Sequence, residues 1–493
     1  MLVDQFGYAL TNKKFATAVQ RSPQQVNEPN RNYDFDKLVP DWDRVQLLSL
    51  SRKMFFNHGA IKTAINQKAN LSIGKSWLAK YTGEDREWGM QAEEWLKNWY
   101  SICNVRGPMF DLQTSLHLGS ISVDRDGDYF ILLTAAESGY PQIQMIGAHR
   151  VGQRDNQKDR VESGPYKGLR ICQGVIKNKL DRPVAYRILG DKKDDGTFND
   201  VDVSARDLIQ VFNPLWFEQS RGTCAGAHSL DKMMRALKSE EWEEIAMMMI
   251  SSMALIEYNE KGGIDEDDPS NYLIGNATDG EGITTQTIDG GRIKYFKSNS
   301  GSKLEAITHD RPGDIWEKFQ DRAIRTMISG MDWSYAYAWK SAELTGTSVR
   351  VELEKVRSAV EDRQELLQLP TKRVITYAIA KAIKSGILPQ NDDWYKWNFT
   401  LPPKVSIDGG RDSVAKMNEW RSGAINMTEL VAERGKSIDD HYLERAREVA
   451  LRKRIQQEVE TETGIKIEDR EMSMLNVNEM PENSEGADAS FNS

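Results

Sequence analysis

Cysteine, histidine and long apolar runs are all scarce in this 493-residue chain, and each shortage removes a class of function. The three cysteines, Cys103, Cys172 and Cys224, stand far apart with no paired spacing, which argues against disulfides and for a reducing compartment. Six histidines are scattered at 58, 117, 149, 228, 309 and 441, with no pair at metal-binding spacing. The longest apolar run, IAMMMISSMALI at 245–256, falls short of the roughly 18–20 residues that cross a bilayer. Glu244 and Glu257 flank it, so it reads as a buried helix and no membrane contact is expected. The opening stretch MLVDQFGYALTNKKFATAVQ has no long apolar core before a small-residue cleavage site, so no secretory signal is expected. A Gly-x-Ser-x-Gly elbow is absent as well. With 74 acidic against 65 basic residues, the chain carries a net charge of −9 and is no basic coat for nucleic acid. Local basic stripes remain compatible with that balance.

Three short stretches imitate functional motifs. Gly74-Lys75-Ser76 lacks the glycine five positions earlier that a phosphate-cradling loop needs; Ala69 stands there, and the preceding segment reads as a helix. The tripeptide is read as a helix end. SVDRDGDYF at 122–130 resembles part of a calcium loop, but Ser122 occupies the first ligand position and Leu133 replaces the bidentate glutamate. Asp126-Gly127 between two apolar runs reads instead as a hairpin turn. The acidic run Asp265-Glu266-Asp267-Asp268 sits in a glycine-rich loop and reads as solvated surface rather than a nuclease metal site. No catalytic residues, metal or cofactor are expected, and the chain is not expected to be an enzyme.

What is present is long, mixed secondary structure. Residues 1–40 are polar and turn-rich and look like an arm that needs a neighbour to order it. Leu47, Leu48, Phe55, Ile61 and Ile65 mark helices up to about Asn70, and Trp88, Trp95, Leu96 and Trp99 mark another from about 85 to 100. Short strands follow in PQIQMIGAHRV, LRICQGVIKN, RPVAYRIL and DLIQVFNP, making 41–213 an α+β unit. One long helix is expected from about 229 to 257, then a Gly-, Asn-, Asp- and Thr-rich insert with short extended runs. A second helix starts at Asp314 as N-cap, with Glu317 three residues on, and ends before Gly330. A third begins near Ser348; Pro370 is expected to interrupt and kink it, and Gly386 to close it. Three short helices are expected in 411–460, one started by Ser437 with Asp440. The last 28 residues, with 7 acids against 2 bases, read as a flexible or partner-docked tail.

Two features have chemistry. Lys318, Arg322 and Arg325 fall at i, i+4 and i+7 on one helix face, beside an apolar stripe of Ile315, Phe319, Ala323 and Met327. The face reads either as solvated surface or as a basic stripe addressing a phosphate backbone. Trp333, Tyr335, Tyr337 and Trp339 alternate ahead of Lys340, and read either as packing residues or as stacking platforms.

The order of parts resembles the portal proteins of tailed phages, lambda type. DRVQLLSLSRKMFFNHGAIKTAINQKANLSIGKSW is similar to the family's opening helices, SVDRDGDYFILL to its Gly-Asp/Glu hairpin, and IQMIGAHRV to the strand after it. FEQSRGTCAG resembles the Arg-Gly turn before its first stem helix. WSYAYAWKSAELTGTSVRVELEKVR resembles the segment ending in Tyr-Ser-Ser-x-Arg, although this chain reads Gly-Thr-Ser-Val-Arg there. WNFTLPPKVSIDGGRDSVAKMNEWRSGAINMTELVAERGKSIDD resembles the C-terminal pattern.

The resemblance implies an α+β portal-type subunit with an arm at 1–40 and a wing at 41–225. Stem helices at 226–257 and 311–331 would flank a small β-containing clip at 258–310. A tunnel loop at 332–346, a kinked long helix with the second part of the wing at 347–405, a helical crown at 406–465 and an acidic tail at 466–493 would follow. About twelve copies would close into a ring by rotation. Double-stranded DNA would be packaged and ejected through it, at the capsid vertex of the virion, after assembly in the host cytoplasm. Implied partners are the terminase large subunit, a head-completion or adaptor protein, and the major capsid protein or scaffold. Lys318, Arg322, Arg325 and Lys340 become candidate DNA-facing residues, and Trp333, Tyr335, Tyr337 and Trp339 candidate tunnel-loop aromatics. The competing readings are a virion neck or scaffold protein without a DNA channel and, less favoured, a phosphate-loop ATPase or metal nuclease.

Overall fold

A computed structural model describes residues 35–74, 77–154, 159–192, 198–252, 256–258, 277–279, 283–288, 291–296, 303–305, 313–343, 346–402, 409–432 and 438–463. The chain divides into two compact units, one of residues 1–75 and 79–398 and one of 76–78 and 399–493. It mixes helices and sheets.

The first unit opens with α1 (Phe35–Leu38), α2 (Asp41–Asn57) and α3 (Gly59–Ile73). Packing therefore starts ahead of the expected boundary at 41, because Phe35 and Val39 are buried and Asp36 is held by Lys177 at 3.2 Å. Gly74, at φ 55°, ends α3 and its N–H donates to the Asn70 carbonyl, so the Gly-Lys-Ser stretch begins as a helix end; Lys75 and Ser76 lie outside the described residues. Then come β1 (Leu78–Tyr81), α4 (Arg86–Ile102), capped by Asp85, and α5 (Leu112–Asp126), capped by Asp111. An aromatic cluster of Tyr81, Trp88 and Trp397 secures α4, and the Trp88 indole donates to the Pro389 carbonyl.

The expected hairpin at Asp126-Gly127 is not there. Residues 112–126 are helical, Gly127 caps them at φ 95°, and β2 (Asp128–Ala135) starts at once. An Asp-Gly pair serves a helix C-terminus as well as a two-residue turn, because both need a left-handed residue. Tertiary contact selects the first use: a Cβ on Gly127 would stand 2.7 Å from the backbone of Gly222 and Thr223, and α5 buries Leu116, Gly119, Ser120 and Val123. The true hairpin joins β2 to β3 (Pro141–Gly147), with Phe130 opposite Ile146.

The next strands are β4 (Arg170–Cys172), β5 (Val175–Lys177), β6 (Pro183–Ile188), β7 (Val201–Ser204) and β8 (Leu208–Phe212). They form an antiparallel sheet in the order β4-β5-β6-β7 and complete a second one, β3-β2-β8. α6 (Leu230–Ser252) follows, shorter than the expected 229–257 because the chain turns to strand at β9 (Ile256–Tyr258). Its first turns are buried, but Trp242, Ile245 and Met248 are exposed, so it is not the wholly buried helix expected. β10 (Ala277–Asp279), β11 (Ile283–Ile288), β12 (Gly291–Phe296) and β13 (Lys303–Glu305) join β9 in a sheet ordered β10-β11-β12-β9-β13. The acidic run 265–268 lies outside the described residues.

α7 (Asp314–Ser329) lies against α6: the Trp316 indole donates to Ser239 Oγ at 2.8 Å and the Gln320 amide to the Ala236 carbonyl at 2.9 Å. Gly313, not Asp314, holds its N-cap position, and no side chain caps it. After α8 (Tyr335–Ala338) comes α9 (Gly346–Lys384), a 39-residue helix that runs through Pro370 rather than being interrupted there. Burial of Leu367, Val374, Ile375, Ala378 and Ile379 on either side carries the helix across the missing N–H. Gly386, at φ 74°, follows its end as expected. β14 (Trp397–Thr400) follows it.

The second unit consists of α10 (Gly409–Arg421), α11 (Met427–Ala432) and α12 (Ile438–Thr463). The last is 26 residues long rather than one of three short helices; Ser437 and the tail 466–493 lie outside the described residues.

Candidate functional site

α7 has two unlike faces. Ala323, Ile324, Met327 and Ile328 are buried, whereas Lys318, Arg322 and Arg325 are all exposed, at the i, i+4, i+7 spacing that groups them. The expected apolar stripe is split: Ala323 and Met327 enter the core, but Ile315 and Phe319 stay exposed.

The segment after α7 folds back on it. Trp333 is buried and its indole donates to Gln67 Oε1 at 3.3 Å; Tyr337 is half-buried and meets Trp333 edge-on at 6.1 Å. Tyr335 is buried, and its hydroxyl donates to Asp321. Trp339 is the exposed member of the four. Residues 335–338 form a helical turn that Ser334 caps by accepting from the Tyr337 N–H. Lys340 reaches Asp321 at 3.2 Å, and Arg325 stands over the Tyr335 ring at 5.2 Å. Burial pushes the Asp321 carboxyl up, but hydrogen bonds from Tyr335 and Lys340, with Arg325 nearby, outweigh it and hold it below the ordinary carboxylate range. Asp321 thus gathers Arg325, Tyr335 and Lys340 around one carboxylate, leaving Lys318 and Arg322 further up the helix. Beside them an open cleft of about 700 Å³ is lined by Arg325, Asp332, Trp333, Glu352, Lys355 and Asp362 among others.

A second constellation went unread in the sequence. The three aspartates of DRDGD are buried, each held by its own bases. Asp124 takes Arg363 at 2.5 Å and Lys68 at 3.8 Å; Asp126 takes Arg52 and Arg125, both at 2.8 Å. Asp128 receives two hydrogen bonds from Arg221, at 2.5 and 3.0 Å. Arg221 also donates to the carbonyls of Ala148, Val151 and Gln173, which satisfies a guanidinium that is 1% exposed. Lys68 in turn donates to the carbonyl of Met331, which follows α7 and its C-cap Gly330. This lattice ties α2, α3, α9 and the Arg221-Gly222 turn to the α5–β2 junction. Spacing gave no hint of it, because every partner but the adjacent Arg125 lies at least 56 residues away, and Arg363 239. Asp124 and Asp126 are thus ion-pair anchors, and among the described residues no three or more His, Cys, Asp or Glu side chains gather as a metal site would need.

A family model described as phage portal protein, lambda family, matches residues 21–364. The chain belongs to that family. The match spans the charge lattice and the elements from α1 into α9, with α6, α7 and the segment after them included. No curated protein matches the sequence. Among solved structures, a chain of the virion of a native gene transfer agent particle is 10% identical, with 78% of this chain and 91% of that one covered and a TM-score of 0.45. A chain in the neck of the native particle gives 10%, 78%, 91% and 0.42. An HK97-family phage portal protein from Corynebacterium diphtheriae is 13% identical over 64% of this chain and 88% of its own, at a TM-score of 0.31. At such scores the likeness supports no residue-level argument.

Proposed function

We propose that this portal-family chain is the subunit of a ring that encloses a channel for double-stranded DNA and serves as a platform for the packaging motor and tail-completion proteins. The family match over 21–364 carries this reading. The ring of about twelve copies closes by rotation, so each subunit offers two different surfaces to its neighbours. It acts in the virion, at one capsid vertex, without catalysing a reaction itself; the motor's ATPase belongs to a separate chain.

Lys318, Arg322 and Arg325 face the DNA in this reading, joined by Lys340 and Trp339. The exposure of the first three on α7, and of Trp339 beyond it, supports the assignment. On a chain of net charge −9, a few basic side chains offer shallow, salt-sensitive phosphate contacts, so DNA slides past without a deep well.

Native mass and negative-stain images of the purified chain, alone and with phage head proteins, test the ring. A closed ring with a central hole is expected; a chain that stays small even with head proteins present ends the reading. Neutralising Lys318, Arg322 and Arg325 together is expected to alter DNA packaging or retention while rings still form. Normal packaging and retention by that triple variant would remove the stripe from the channel. ATP or DNA with magnesium should give no turnover.

A further inference from the structure

The packed helices α6 and α7 have an apolar side that the single chain leaves uncovered. Trp242 is 69% exposed, Ile315 86% and Phe319 48%, three large apolar side chains on a polar protein. They share one side of the pair. Ala236 and Ser239 mark where α6 meets α7, and Gln320 and Trp316 mark where α7 meets α6; the sequence rises along one helix as it falls along the other, so the two run antiparallel. At about 100° per residue, Trp242 points about a quarter-turn to one side of that seam on α6. Phe319 points about a quarter-turn from it on α7, with Ile315 one turn earlier, and the antiparallel packing carries them to the side of Trp242. An exposed apolar side of this kind marks a docking surface.

The opposite side of the pair is acidic. The same count puts Glu240 and Glu244 of α6 and Glu317 of α7 about a quarter-turn the other way from the seam, and all three are exposed. The apolar side has a border of the other sign. Arg235, which pairs with Asp231 at 2.8 Å, and Lys238 lie on it ahead of Trp242, and Arg322 stands at its edge. Lys318 and Arg325 point away from α6 altogether, on a third side.

We infer that a second copy of this chain covers the apolar side: Trp242, Ile315 and Phe319 of one subunit dock on the Glu240, Glu244 and Glu317 side of the next. The inference rests on the ring proposed above and adds which surfaces meet in it. Two unlike sides set back to back on one helix pair are what a rotational assembly needs, because rotation brings one side of each copy against the other side of its neighbour. A two-fold pair would use the apolar side twice and leave the acidic side without a role. Opposite signs across the contact steer the copies together, and the like signs of a reversed pairing penalise it. The aliphatic stems of the glutamates cover the apolar rings while their carboxylates reach the basic border of the neighbour. With both lateral sides taken by neighbours, the side bearing Lys318 and Arg325 is left for the channel.

The test reverses each side in the full chain and follows assembly by native mass over a concentration series. One variant carries Arg235→Glu with Lys238→Glu; the other carries Glu240→Lys, Glu244→Lys and Glu317→Lys. All five positions are exposed, so the fold is expected to stand in both. Each variant alone then brings like charge against like charge, and its concentration for half assembly should rise at least about tenfold over the unaltered chain. Mixed one to one, the two variants should assemble again to within about threefold of the unaltered chain, in rings where they alternate, because each now meets opposite charge on both sides. A folding defect would not be repaired by mixing. Unaltered assembly of either variant alone, or a mixture no better than its components, overturns the contact while leaving the ring standing. An unaltered chain that stays small even with phage head proteins overturns the ring itself, and the contact with it.

Discussion

Phe130 and Trp420 are both large aromatic side chains, yet one has no contact with solvent and the other is nearly half exposed. The contrast holds for the units they belong to. The first unit buries Leu47, Met54, Trp99, Phe130 and Trp397 almost completely and runs one continuous cluster from Phe35 through Met233 to Val360. Among the described residues of 399–463 in the second, Val431 is the single buried apolar side chain. Val414, Met417 and Trp420 line one side of α10 and are all exposed, as are Tyr442, Leu443, Val449, Leu451 and Ile455 on α12. The first unit carries its stability within itself. Helices with little packed surface gain little from tertiary burial, so the second unit's helices are expected to be the less stable part of the unassembled chain.

The largest expected difference is in hydrogen exchange. In the unassembled chain the amides of α12 should exchange within a few orders of magnitude of unprotected rates, whereas those of α5 and β2 should follow global unfolding. Equal protection of both would erase the contrast. In the ring proposed above, α10 and α12 should gain protection.

Next in size is the charge lattice. Arg221→Met strands a buried Asp128 and should cost about 3–5 kcal/mol in urea unfolding of the first unit. Phe130→Ala should cost a similar amount, about 3–5 kcal/mol. A loss below about 1 kcal/mol in either would show that the first unit is not held as described.

A smaller effect comes from Asp126. Burial pushes its carboxyl up, but hydrogen bonds from Arg52 and Arg125 outweigh that and hold it below the ordinary range. A carboxyl depressed in the folded state contributes stability that is full above its unfolded value near pH 4 and lost as pH falls through the folded value. Arg52→Met should therefore cost about 1–2 kcal/mol at neutral pH and flatten the acid loss below about pH 4. An unchanged acid limb would assign that loss to other carboxylates. Smallest of all, Trp420→Ala should change stability of the unassembled chain by no more than about 0.5 kcal/mol, because its ring packs against little there.

The pattern of apolar residues was enough to place α2 to α4, the strands at 141–147, 170–177, 183–188 and 208–212, the body of α6 and α7, and the end of α9 before Gly386. These are local periodicities, and the physics that produces them is local as well. The basic face of α7 was legible for the same reason, since i, i+4 and i+7 on a helix need no fold to become neighbours. Motif order carried the family, which no single stretch would have done.

Contacts across long sequence separations were beyond that reading. Asp126-Gly127 fits a hairpin turn and a helix end equally well, and only the approach of Gly222 and the burial of the three aspartates choose between them. Pro370 reads as a break until Leu367, Val374 and Ile375 are seen to be buried around it. The alternation of aromatics at 333–339 names no partners until Asp321, Gln67 and Ser334 are seen to bond Tyr335, Trp333 and the turn itself. Helix faces and caps follow from neighbours within four residues, so sequence suffices for them; a buried charge needs its counter-charge from wherever the fold brings one, and that is decided only when the chain has closed.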